Sequence, residues 1–478
     1  MKKSAQLIAV VVALAVIYPA AAWYTGKRVE AKLKGPQAQT TSSPYVKVIK
    51  DDYQRGVFSS VQDTTIEIDL ASFPMGKKPA LPGADAPVPG TPEVPVPDAP
   101  VAAVPEAPPK PIQLHFINRI QHGPLPGFRG FGAAAIKTEL VFDDAAKAEL
   151  AKVFGTASPL QISSNLSYGG GGHVAISSPA FTTTLEKDRE KIAWQGLTMD
   201  VDFEKDYKAF RVNGSAPGLA MESLDGKSIK IGAITLKSDV TQAYPGTSLY
   251  LGKTDASLLS IVYSDKTDAK KDFSLDQFTL GSDVSSKDDL IGLIVRIGVA
   301  KISVDQQSFS DLHYDYGVRR IHGPSLAKML VAYSNTPGEL EKLAAVKTVW
   351  DEVAPALLQK EPELVLERIS VVTSDGEAKL SGTAKLVGAT ATDLSNPMLM
   401  LTKVQANADV VLTDTLIAKV GGASQKDPEA QKAALDAMNM QIAALTEQGF
   451  IERKGKLLSS KIEWKDGKLT INGKPFSH

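Results

Sequence analysis

Leu197-Thr-Met199-Asp-Val201-Asp-Phe203-Glu204 alternates apolar and polar residues without a break. Successive side chains of a strand leave opposite faces, so a period of two describes a strand with one buried and one wet face. The same period recurs in Ile66-Glu-Ile68-Asp-Leu70, Ile136-Lys-Thr-Glu-Leu140, Ile229-Lys-Ile231, Ile234-Thr-Leu236 and Ile462-Glu-Trp464. Half-wet strands belong to antiparallel sheets, because parallel sheets are covered on both faces and read as continuous apolar runs. Asp466-Gly467 then folds the last of these strands onto Leu469-Thr-Ile471 as a tight hairpin. The expected fold is α+β: extended, curved, mainly antiparallel β-sheets with a few packed helices, after an N-terminal transmembrane helix.

The helices are punctuated insertions. Thr336 is placed to cap one, Pro337 fits its first position, and Leu340, Leu343, Trp350 and Leu357 share a side before Glu361-Pro362 stops it. Asp427 and Pro428 open another, Leu435, Met438, Ile442 and Leu445 form its apolar face, and Gly449 ends it. Shorter helices are expected from Asp143 to Val153 and from Ser325 to Tyr333. Packing on the protein's own sheet is the plainest use of all four stripes.

The chain of 478 residues exceeds one ordinary hydrophobic core. Basic and acidic side chains number 53 and 54, a net charge of −1 that leaves no electrostatic footprint for nucleic acid. The absence of cysteine excludes disulfides, thiolate zinc sites and a cysteine nucleophile. Thirteen of the 29 prolines fall between Pro74 and Pro111, a density that rules out a packed domain and reads as an extended insertion. The expected divisions are an anchor or signal segment over 1–25, a helix and strand region over 26–73, the insertion over 74–111, a β-rich domain over 112–317 and a mixed domain over 318–478.

The apolar stretch from Ala5 to Tyr24 carries the location. Lys2 and Lys3 precede the run Leu7 to Ile17, the signature by which the rest of a chain is exported. The whole stretch is about 20 residues, enough for ~30 Å of hydrocarbon. Leu7, Val11, Leu14 and Ile17 would face lipid, with Trp23 and Tyr24 at the interface. Ala20-Ala-Ala22 also satisfies a cleavable signal, so anchor and signal peptide both fit the residues.

Chemical motifs are thin. Gly169 to Gly172 lacks the Lys-Ser/Thr of a phosphate loop and reads as a hairpin tip. None of the six histidines has the spacing of a zinc pair, and there is no nucleophile elbow. Asp265, Asp268, Lys270, Lys271 and Asp272 make a charged turn, without the glycine and final glutamate of a calcium loop. No catalytic, metal or cofactor residue is assigned. His122-Gly123-Pro124 recurs as His322-Gly323-Pro324, and Gly-Pro reads as a turn in both places.

Several of these segments occur together in one group. Ala22-Trp-Tyr-Thr-Gly-Lys27 after the apolar run, Tyr53-Gln-Arg-Gly-Val-Phe-Ser-Ser60, His122-Gly-Pro124 with Pro126, the helix before Gly449 and the closing Gly467-Lys-Leu-Thr-Ile-Asn-Gly473 resemble the YdgA-like family of Gram-negative bacteria. The resemblance spans nearly the whole chain, the Pro-rich insertion excepted. It implies a single-pass inner-membrane protein with its bulk in the periplasm, a retained helix, and no catalytic residues or cofactor to carry over. Arg55, Gly56, Phe58, His122, Gly123 and Pro124 are the signature or interaction candidates, with Gly56 read as a bend that lets Phe58 enter the core. Two functions stay open. One is a non-enzymatic envelope scaffold or assembly factor, with protein partners or copies of itself. The other is a carrier of a lipid-like hydrophobic ligand in a groove of the sheet.

Overall fold

The computed structural model describes residues 18–31, 33, 46–68, 111–128, 130–185, 189–305, 307–336, 339–417 and 428–476. The chain divides into two compact units, Met1–Gly169 and Gly170–His478. The division falls within the Gly169–Gly172 stretch rather than at 317/318, which the strand Gln307–His322 crosses unbroken. Most of the Pro-rich insertion lies outside the described residues.

The first unit is a meander. Val46–Arg55, Ser59–Ile68, Ile112–His122, Ala134–Val141 and Gln161–Leu166 pair in that order, each antiparallel to the next. One face carries a polar ladder across the strands. The Thr138 hydroxyl donates to Asn118 at 2.6 Å, the Asn118 amide to Gln62 at 3.2 Å, and the Gln62 amide to Asp51 at 2.7 Å. Further along, Tyr53, Ile120, Ala134 and Ile136 form an apolar cluster completed by Val29 of the helix at residues 18–31. Asp143 caps the expected helix, Asp144–Phe154, by accepting from the Ala146 N–H at 2.7 Å.

The second unit is built on a longer antiparallel sheet. Tyr250–Asp265 is its branching strand, pairing on one side with Ile234–Gln242 along its first half and with Lys227–Ile231 along its second. From it the sheet continues through Phe273–Lys287, Leu290–Val304, Gln307–His322, Glu363–Thr373, Gly376–Leu386, Val404–Thr413 and Leu457–Lys465. In the other direction it runs through Ala209–Ala216 and Leu197–Phe203 to Gly172–Ser178. Leu197–Phe203 alternates half-buried and exposed along its length, as its period requires. The closing hairpin has both turn residues left-handed, Asp466 at φ 53° and Gly467 at φ 73°, the backbone of a two-residue hairpin turn matched to strand twist.

The two faces of this sheet differ in chemistry. Register places Ile176, Met199, Gly214, Leu236, Ala256 and Leu280 side by side on successive strands. Ile297, Tyr314, Ile369, Leu380 and Val410 continue the row. None of its side chains is fully buried, and Tyr314 is 48% exposed. The opposite face carries His173, Asp202, Arg211, Asp239, Lys253 and Asp283 on successive strands, alternating in charge when the histidine is protonated. Arg211 meets Asp239 at 3.2 Å and Lys253 meets Asp283 at 3.6 Å. Cross-strand pairs of this kind stabilise modestly and singly.

The helices follow the expected punctuation with two corrections. In Pro428–Glu447 the face is as expected: Ile442 is buried, Leu435, Met438 and Leu445 are half-buried, and Gly449 follows at φ 78°. Glu339–Leu358 packs through Val353, Ala354, Leu357 and Leu358. On the expected stripe Trp350 is half-buried, whereas Leu343 is 64% exposed. The Thr336 hydroxyl donates backward to the Ala332 carbonyl at 2.8 Å and closes the preceding helix, while Pro337 lies outside the described residues. His322-Gly323-Pro324, expected as a turn, opens the helix Gly323–Ser334, because proline is accommodated in a first turn where no N–H is needed.

Truncating a wholly buried side chain leaves a cavity, so Ile120→Ala should cost about 2–5 kcal/mol in urea or guanidinium unfolding. Leu343→Ala, on a wet surface, should fall within about 0.5 kcal/mol of the parent.

Candidate functional site

Ala22, Thr25, Gly26 and Val29 lie three, four and seven residues apart, one stripe of a helix. All four are buried against the first unit. Two of them are small for a reason. A Cβ on Gly26 would stand 2.5 Å from Cε1 of His122, and a Cβ on Gly123 would stand 3.0 Å from that of Ala22. Gly123 also sits at φ 127°, where a side chain is strained in any case. The helix backbone and the end of the Ile112–His122 strand therefore approach to van der Waals contact.

That approach brings the His122 ring over Gly26, with Nδ1 2.9 Å from the Ala22 carbonyl. A carbonyl only accepts, so Nδ1–H donates to it. In the neutral ring Nε2 then accepts from the Ser60 hydroxyl at 3.0 Å. His122 is 2% exposed and Ser60 3%, so these bonds fix one tautomer inside the protein. Burial pushes the imidazole below its ordinary pKa of 6.5, the carbonyls of Ala22 and Ser59 act the other way, and the Arg55 charge lowers it further. Tyr53, also facing Ser60, has its phenol raised first by burial.

The hairpin that precedes Ser60 holds the helix from another side. Gly56 N–H bonds the Ser59 carbonyl at 2.8 Å, and a Cβ at Gly56 would meet that oxygen at 2.7 Å. Arg55 reaches Glu30 at 2.6 Å and lies 5.4 Å from the ring centre of Trp23. Phe58 does not enter the core as expected. It is 48% exposed and stacks on Tyr18 at 5.9 Å, because the tight turn aims it at the helix rather than under the sheet. Pro124 begins the connection to Ala134, within which Gly132 N–H bonds its carbonyl at 3.3 Å.

Arg55, Gly56, Phe58, His122 and Gly123 thus converge on one helix, although about 65 residues separate the two motifs in sequence. Thr25 also joins, its hydroxyl donating to the Ala21 carbonyl at 2.7 Å and lying 3.3 Å from the Tyr168 hydroxyl. The residues missed at sequence level are Ser60, Gly26 and Tyr18. Ala22-xxx-Gly26, two small residues one turn apart, was the available signal. Leu7, Val11, Leu14 and Ile17 lie outside the described residues, while Trp23 is on the docked helix and 46% exposed. Among the described residues no helix is long and apolar enough to cross a membrane.

The second His-Gly-Pro is built differently. His322 Nδ1 lies 2.8 Å from the Ser325 hydroxyl within its own helix start, and a Cβ on Gly323 would overlap the Tyr244 hydroxyl at 2.1 Å. Among the described residues His115 pairs with Asp63, His173 with Asp200 and Asp202, and His313 with Asp311 and Asp315, across or along strands. Two cavities of the second unit, about 440 and 630 Å³, have no histidine in their walls. No group of three histidine or carboxylate side chains able to hold a metal occurs among the described residues.

Mainly antiparallel α+β sheets, open rather than closed into a barrel, with a helix docked through Ala22 and His122, define the class. The chain belongs to the family described as bacterial proteins of unknown function (DUF945), whose match covers residues 1–478. It is similar to protein YdgA of Escherichia coli (strain K12), 22% identical over 529 residues that span 100% of this chain and 95% of that protein.

Alanine at an ordinary helix position is better than glycine by about 1 kcal/mol. Gly26→Ala should instead destabilise the first unit by about 1–3 kcal/mol, through the clash with His122, and His122→Ala in the same chain should relieve part of that loss. The sign for His122 itself follows from its lowered pKa. The folded state favours the neutral ring, so its contribution is complete above the unfolded value of 6.5 and is lost as pH falls below that toward the folded value. Melting curves should show His122→Asn losing less stability than the parent between pH ~7.5 and ~5.5.

Proposed function

We propose that this chain is a non-enzymatic protein of the bacterial cell envelope, held at the inner membrane by its N-terminal apolar stretch, with its bulk in the periplasm. There it acts as a scaffold or assembly factor for other envelope proteins or for copies of itself. The observation that carries this reading is the docked helix. Residues directly after the apolar run are core residues of the first unit, so an anchor made of that run would hold the unit at a fixed attitude instead of on a loose leash. The Lys2-Lys3 start supports export of the chain beyond the apolar run. Val46–Arg55 supports an interaction role, since among the described residues its strand partner is Ser59–Ile68 on one side, which leaves an edge for an added strand.

A second reading has its own observation. The half-exposed apolar row from Ile176 to Val410 crosses eleven strands, about 48 Å at ~4.8 Å per strand. Acyl chains laid across the strands would fit such a row, which favours a lipid-like hydrophobic ligand.

Reporter fusions at the C-terminus should be active only when they require export. In-cell crosslinking from the Val46–Arg55 edge should recover reproducible protein partners, and an empty pattern would sink the scaffold reading. Organic extraction of the purified protein followed by mass spectrometry tests the alternative. Lipid should be present in the parent and depleted in Leu280→Asp and Tyr314→Asp, whereas equal lipid in all three would end it.

A further inference from the structure

We propose that the end of the first unit beside Tyr18 is a membrane-contact collar, in which Phe58, Leu125, Phe128 and Phe131 around Tyr18 seat in the headgroup region of a bilayer. The inference rests on the anchored reading and adds where the bilayer meets the protein.

Phe128 is 83% exposed and Phe131 80%, with Phe58 at 48% and Leu125 at 41%. Large aromatic residues this open, grouped in one place, mark a contact surface. They come from two loops tied together at the same end of the sheet. His122 N–H bonds the Phe58 carbonyl at 2.9 Å, and Gly123 N–H bonds the Ala133 carbonyl at 3.2 Å. Tyr18 stacks on Phe58 at 5.9 Å and on Phe128 at 6.1 Å, and its hydroxyl donates to the Leu125 carbonyl at 3.0 Å. Phe131 leans on Tyr168 at 5.2 Å. The rings are held in position while their outer surfaces stay bare.

The occupant is argued from where the chain goes. Tyr18 directly succeeds the apolar run from Ala5 to Ile17, which Lys3 bounds on its other side. Ala22 has no exposed surface, so the turn that carries it is committed to the first unit and is withdrawn from any bilayer. A helix of residues 5–17 would rise about 20 Å, against ~30 Å of hydrocarbon. Such a mismatch is met by local thinning and by drawing the flanking surface into the interface. The flanking surface here is the ring of Phe58, Phe128 and Phe131, side chains of the kind that interfacial segments bury at the boundary of headgroups and acyl chains. Residues 123–133 contain no acid, so no carboxylate of that loop would lose its water at the interface.

The chain has no cysteine, so a single introduced thiol is a unique label. Full-length Phe128→Cys, Phe131→Cys and, as a control at the far end of the same sheet, Ile112→Cys are each labelled with an environment-sensitive fluorophore. They are then reconstituted into phosphatidylethanolamine and phosphatidylglycerol vesicles and checked by flotation. Brominated acyl chains should quench the labels at 128 and 131 and leave the label at 112 nearly unchanged. Vesicles that float with protein but quench 128 and 131 no more than 112 overturn the collar while leaving the anchor standing. Emission at 128 or 131 that is blue-shifted without quenching assigns the surface to a protein or a second copy and also overturns it. Protein that does not float overturns both readings.

Discussion

The donation from His122 Nδ1–H to the Ala22 carbonyl is the constraint on which the first unit's geometry depends. It requires a ring where a glycine leaves room, a carbonyl that already belongs to a helix, and a hydroxyl to donate to the other nitrogen. Each requirement places a residue. Gly26 is small because the ring lies on it, Gly123 because Ala22 does, and Ser60 is polar in a buried position because Nε2 would otherwise lack a donor. Buried polar groups satisfied in this way add little net energy but select one arrangement over its neighbours, since a shifted helix would strand all of them.

The second unit obeys a different logic. Its sheet is ordered by register, and its apolar and charged faces are each continuous over many strands without a compact core between them. Among the described residues, its helices bury Ala327, Ile442 and Val353, Ala354, Leu357 and Leu358.

Much of this was legible in the sequence, and for identifiable reasons. Period-two segments such as Leu197–Phe203 announce themselves because strand geometry imposes the pattern residue by residue. Asp466-Gly467 and the Asp143 cap are equally local. What was not legible depends on contacts between distant residues. Phe58 looked like a core residue because only the docked helix reveals what it stacks on. His122-Gly123 and His322-Gly323 are identical in letters yet one ends a strand against a helix and the other begins a helix, a difference set by surroundings. Leu343 shared a stripe with Leu357, but a stripe does not say which of its members meets a partner.

The charged face of the larger sheet has a consequence beyond solubility. Ile234–Gln242 sets Lys237 opposite Asp255 and Asp239 opposite Lys253 on the neighbouring strand. Displacing one strand by two residues would keep every side chain on its proper face, so the apolar row alone could not detect the error. One direction of slip would oppose Lys237 to Lys253, and the other would oppose Asp239 to Asp255. The wet face therefore proofreads alignment during folding, a task to which the oily face is blind.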